Sequence, residues 1–124
     1  MRLNLRIATG LAIVCIPSAA QAADYLDKSE LTTLIAGNTV YFKNFANGVT
    51  GRAFHDTSGR ILVERDDGAA FEGLWSVQAN GKLCMIVSNE ICSTVTKNTD
   101  GSYTRRTDGG DIYQWTKITP GKGF

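Results

Sequence analysis

Turn clusters, nearly all of them ending in glycine, recur every nine to thirteen residues from Gly59 onward: Asp56-Thr57-Ser58-Gly59, Asp66-Asp67-Gly68, Ala79-Asn80-Gly81, Ser88-Asn89-Glu90, Asn98-Thr99-Asp100-Gly101 and Asp108-Gly109-Gly110. Between them the apolar residues follow period two. Asn-Gly and Asp-Gly are strong hairpin signals because such turns need positive φ, which glycine adopts freely. Short alternating segments joined this way predict a run of antiparallel hairpins. The expected strands are Thr39–Lys43, Gly51–His55, Arg60–Arg65, Ala69–Gln78, Lys82–Val87, Ile91–Lys97, Ser102–Thr107 and Asp111–Ile118, with Thr119–Phe124 as a loop tail. Asn44–Val49 connects the first two. The fold class is all-β. Consecutive hairpins favour an antiparallel up-and-down β-barrel of about eight strands over a sandwich, since closure removes exposed edges.

One segment breaks the period. Asp27 followed by Glu30 forms a capping box, and Leu31, Leu34 and Ile35 share a helical face before Gly37-Asn38. The short N-terminal helix they predict cannot stand alone and must dock its leucines on the sheet.

The N-terminus carries an address. Arg2 and Arg6, an apolar run from Ile7 to Ile16 and the ending Ala20-Gln21-Ala22 have the pattern of a signal peptide over 1–22. The apolar run is too short to span a bilayer. Cleavage near Ala22 would leave 23–124 as a single small domain in the periplasm, with no integral membrane segment. Cys15 would leave with the signal; lipidation at Cys15 is the alternative. Removing Arg2 and Arg6 from the 13 basic residues leaves 11 against 12 acidic ones, a net charge of −1 with His neutral. No basic stripe remains, so nucleic acid is not an expected partner.

Cys84 and Cys92 are then an even pair in an oxidising compartment, which points to one disulfide, with two buried thiols as the alternative. In the chain-entropy picture, so short a closed loop contributes about 2.5 kcal/mol.

Catalytic and metal signals are weak. His55 is the sole histidine, no G-x-S-x-G accompanies it, and it reads as a partly exposed residue at a strand end. Asp56, Asp66 and Asp67 fit turn chemistry better than a calcium loop. Glu64 and Glu72 flank a turn; directly opposed, they could share acid–base work in a small hydrolase. Neither a cofactor nor a metal is expected, and the chain does not read as an enzyme. Trp75, Phe71, Leu83 and Met85 are core candidates. The best ligand-binding constellation is Arg105 with Tyr103, Tyr113 and Trp115, because an arginine flanked by aromatics can hold a carboxylate, phosphate or sugar. An ordinary cross-strand Arg/aromatic pair is the alternative.

Four features resemble a family of small exported proteins of unknown function in Gram-negative bacteria. They are the opening Ser29–Val40 with its Gly37-Asn38-Thr39-Val40, Gly73-Leu74-Trp75, the pair Leu83-Cys84 and Cys92, and the aromatic and basic strand before the Pro/Gly end. The resemblance implies export and fold but transfers no catalytic residue. The order G-x-W, Cys, Cys is also similar, more loosely, to secreted bacterial metalloprotease inhibitors, which are small barrels with one disulfide. The expected function is therefore a non-catalytic binding module whose partner is a small ligand or an envelope protein, with inhibition of a protease or lysozyme as the alternative.

Overall fold

The computed structural model describes residues 25–124. The signal-peptide expectation for 1–22, with Cys15, lies outside the described residues. A helix, α1 (Lys28–Ile35), precedes eight strands: β1 (Asn38–Asn44), β2 (Thr50–His55), β3 (Arg60–Arg65), β4 (Ala70–Val77), β5 (Leu83–Ile86), β6 (Glu90–Lys97), β7 (Tyr103–Thr107) and β8 (Ile112–Pro120). Each strand pairs antiparallel with the next, and β8 returns to pair with β1, so the sheet is a closed barrel. The last strand runs to Pro120, which sits opposite Asn38, so the tail begins two residues later than the sequence suggests. The tail then folds back on the outer wall. Thr39 Oγ1 donates to the Gly121 carbonyl at 2.6 Å and accepts from Gly123 N–H at 2.9 Å.

Five hairpins share one turn. In each, the amide of a glycine donates to the residue three before it, as Gly68 does to Arg65 at 3.0 Å, and the flanking residues close the ladder, as Arg65 N–H does to Ala69 at 2.8 Å. Gly59, Gly68, Gly81, Gly101 and Gly110 hold φ between 87° and 100°. Only the glycine needs positive φ, which corresponds to a type I turn ending in a left-handed residue rather than a two-residue loop. This sets the register: Glu64 lies opposite Ala70, and Glu72 opposite Leu62.

Helix α1 closes one end. Asp27 Oδ1 accepts from Glu30 N–H at 2.8 Å, and Glu30 Oε1 accepts from Asp27 N–H at 3.0 Å, completing the capping box. Leu31 and Ile35 are fully buried against Val40, Leu83, Val95 and Trp115. A helix of two turns is held by this contact rather than by its own propensity.

Inward-facing positions alternate along the strands, except at a bulge in β8 at Thr116, after which Ile118 and not Lys117 joins Trp115 on the inner side. In β4 they are Phe71, Gly73, Trp75 and Val77. Gly73 is required there: a Cβ would stand 2.1 Å from the Ile86 carbonyl oxygen, so only glycine lets β4 cross the end of β5. Trp75 and Met85 pack partly buried against the core. Phe71 is not core; it lies 42% exposed, where the wall of the barrel ends and nothing covers it. Cys84 and Cys92 are cross-strand partners in β5 and β6 and form the disulfide.

Candidate functional site

The end of the barrel opposite α1 is not filled. A cavity of about 310 Å³ opens between the loops 45–49 and 87–89. Val40, Phe42, Ala53, Val63, Met85 and Ile91 give it apolar walls, and Asn44, Asn47, Ser88 and Asn89 give its mouth a polar edge. Among the described residues the charged ones lining it are Arg65 and Arg105, and none is acidic. Arg65 is paired with Asp67 at the rim.

Arg105 is different. It lies in the middle of β7, on the inner face, and is 8% exposed. Its Nε–H donates to Ser93 Oγ at 2.8 Å, and Ser93 Oγ–H donates in turn to the Leu83 carbonyl at 3.2 Å. The guanidinium carbon stands 4.8 Å from the centre of the Tyr113 ring, directly across the ladder. Among the described residues no carboxylate pairs with it. Burial pushes the Arg105 guanidinium below its ordinary value, and the opposing pull of Tyr113 and of Asp111, which is not within ion-pair distance, offsets only part of this.

The four residues singled out from sequence do share the inner face, because Tyr103 and Arg105 alternate in β7 and their partners Trp115 and Tyr113 alternate in β8. Arg105, Tyr113 and Trp115 line the cavity. Tyr103 does not; it packs toward the helix-closed end, with its ring 6.4 Å from that of Trp115.

His55 was the residue that sequence reasoning misplaced. It is 1% exposed, lines the cavity and meets the Trp75 ring edge-on at 5.4 Å. Among the described residues neither ring nitrogen has a partner in good hydrogen-bond geometry, although backbone groups of Ala53 and Asn38 stand close enough to oppose the lowering of its pKa. Burial, and then the charge of Arg105, lower its pKa to about 3, so it is a neutral imidazole at ordinary pH. The available signal was the parity of β2, where Gly51, Ala53 and His55 fall on one side. Phe54 on the other side obscured it.

Glu64 and Glu72 do not oppose each other. The three-residue turn offsets them diagonally on the outer wall, and each is engaged by its own arginine, Arg52 and Arg60. The expectation of a directly opposed carboxylate pair therefore fails. Asp56, Asp67 and Asp100 act in turns: hydrogen bonds from Ser58, Arg65 and Ser102 hold their carboxyls below the usual range.

Fold and site together define a small closed β-barrel, plugged by a helix at one end and hollow at the other, with a buried cation in an apolar cup. The chain belongs to the family described as protein of unknown function DUF995, which it matches over residues 3–121. That agrees with the resemblance to a family of unknown function drawn from Ser29–Val40, Gly73-x-Trp75 and the cysteine pair. No curated protein and no solved structure matches the chain. No helix among the described residues is long and apolar enough to cross a membrane.

Proposed function

We propose that the protein is a non-catalytic binding protein of the bacterial periplasm that holds one small, mainly apolar ligand inside the barrel. The observation that carries this reading is an open cavity whose apolar walls lead to a buried arginine that forms no ion pair among the described residues. Its volume of about 310 Å³ falls at the lower end of small-molecule sites, which typically combine apolar walls with a few placed polar groups. The periplasmic address rests on the charged, apolar and A-x-A pattern of residues 1–22.

A neutral, polarity-sensitive dye such as N-phenyl-1-naphthylamine tests the cavity. Saturable fluorescence with one site per chain is expected. Ala53→Leu, which adds bulk from β2 into the cup, should reduce it severalfold. No saturable signal, or a signal indifferent to the added bulk, would remove the reading.

Inhibition of a protease or lysozyme is the second reading. It is favoured by Phe45, a large apolar side chain exposed on the loop 45–49 beside the mouth. Capture of one such enzyme from envelope extract by the purified protein, followed by loss of that enzyme's activity, would establish it; Phe45→Ser should abolish both.

A further inference from the structure

We infer that the ligand is a monoanion, an apolar body carrying a single carboxylate or a like-charged head that seats on Arg105. This rests on the cavity being a ligand site, and adds which chemistry it selects.

The argument begins with the guanidinium. It has five N–H donors and no acceptor. One, on Nε, is spent on Ser93. Ser93 is itself tied to the Leu83 carbonyl, so the side chain is held in one orientation. The Nη groups have no hydrogen-bonding partner among the described residues, and two parallel N–H donors are what a carboxylate accepts in bidentate fashion. Tyr113 covers one face of the guanidinium plane, leaving its edge to do the binding.

The charge count then fixes the valence. A buried cation without a counter-ion is costly, and an anion brought to it relieves that cost. Arg105 is the one lining cation without an ion pair, since Arg65 is already matched by Asp67. Of the titratable groups that act on it, His55 is neutral and adds no positive charge, while Asp111 lies outside the cavity lining and forms no ion pair with it. One unmatched positive charge calls for one negative charge. The apolar walls call for a hydrocarbon or aromatic body behind it. The volume equals that of about ten waters at ~30 Å³ each, which suits a ligand of roughly ten non-hydrogen atoms.

The test compares octanoate, octanol, octylamine and octyl phosphate on the purified protein, by displacement of the neutral dye and by chemical-shift titration of the Trp115 indole. Octanoate should bind most tightly and octylamine least. Arg105→Gln should weaken octanoate by about 10- to 100-fold while leaving octanol unchanged. Arg105→Lys should restore part of the preference, because it keeps the charge and loses the fork. Ser93→Ala, which frees the guanidinium to rotate, should weaken octanoate severalfold without affecting octanol.

Octanol binding as tightly as octanoate to the unaltered protein would overturn the anion inference and leave the cavity reading standing. Octyl phosphate binding more tightly than octanoate would overturn the single-charge assignment. Displacement of the dye by none of the four would overturn the inference. Failure of the dye itself to bind would remove the cavity reading with it. The comparison on the unaltered protein decides the question even if a variant does not fold.

Discussion

The two ends of this barrel are made from the same eight strands and the same alternation, yet one is solid and the other hollow. At the closed end, Leu31 and Ile35 of α1 fill the space between Val40, Leu83, Val95 and Trp115. At the open end no element among the described residues plays that part, and Phe45, Phe71, Val87 and Ile91 are exposed around the mouth. The strands alone do not decide what lies inside an eight-stranded barrel; interiors of this width can be filled by side chains or can hold one small ligand. Here the covering helix makes the difference: Arg105 lies at mid-strand between the two ends, and His55 lines the cavity beside the C-terminus of the helix, where Gly37 N–H donates to its carbonyl.

The largest expected effect sits at the border between the ends. His55 is buried neutral, with a pKa near 3 against an unfolded value of 6.5. The stability that goes with the neutral ring is fully present above pH 6.5. It is lost as the pH falls toward 3, because the unfolded chain takes up the proton and the folded one does not. Over that window the loss amounts to roughly 4 kcal/mol. His55→Phe should flatten this part of the profile when urea unfolding is compared at pH 7 and pH 4. The turn carboxylates also lose stability on acidification, but equally in both proteins. Parallel profiles would mean that water reaches His55 and that the hollow extends to the helix.

Next comes the plug. Leu31→Ala should cost about 3 kcal/mol, in the range for a fully buried leucine. Val87→Ser at the mouth should change stability by less than about 0.5 kcal/mol. Equal losses in thermal or urea unfolding would erase the distinction between the ends. Below the loss of the plug comes that of the disulfide on the outer wall. Cys92→Ser should cost about 2.5 kcal/mol or less, and wild type should show the same loss under reductant. Unchanged melting under reductant would show the bond to be absent.

Much of the architecture was legible because it is written locally. A glycine preceded by Asp or Asn marks a turn wherever it occurs, and in three of the five shared turns that residue also binds the amide two positions on: Asp67 to Ala69, Asn80 to Lys82 and Asp100 to Ser102. Helix α1 was legible for the same reason, through Asp27 and Glu30. What could not be read depends on neighbours far along the chain. Whether Phe71 is core depends on whether anything covers the mouth. His55 looks like a strand end in sequence, but Gly37 N–H donates to its carbonyl at 2.7 Å and the returning chain seals it in. The turn is odd in length, but it is centred on Asp67 and not on Gly68, so Glu64 meets Ala70 and Glu72 lies two residues further on, since register sets every pair in a hairpin. Arg105 could be placed on the aromatic face by parity, but its lack of a counter-ion is a property of seven other strands.

The seam between β1 and β8 joins the first strand of the sheet to the last. All other pairings are between strands adjacent in sequence, so they can form as short hairpins with little loop entropy to overcome. The final one waits for residues 112–120. A chain threaded through a pore from its N-terminus would therefore carry an open ribbon, with two unsatisfied edges, until its last residues arrived. Truncating the chain before Ile112 would do more than shorten it: β1 and β7 would each keep one neighbour and bare one edge, ready to add any passing strand to the ribbon.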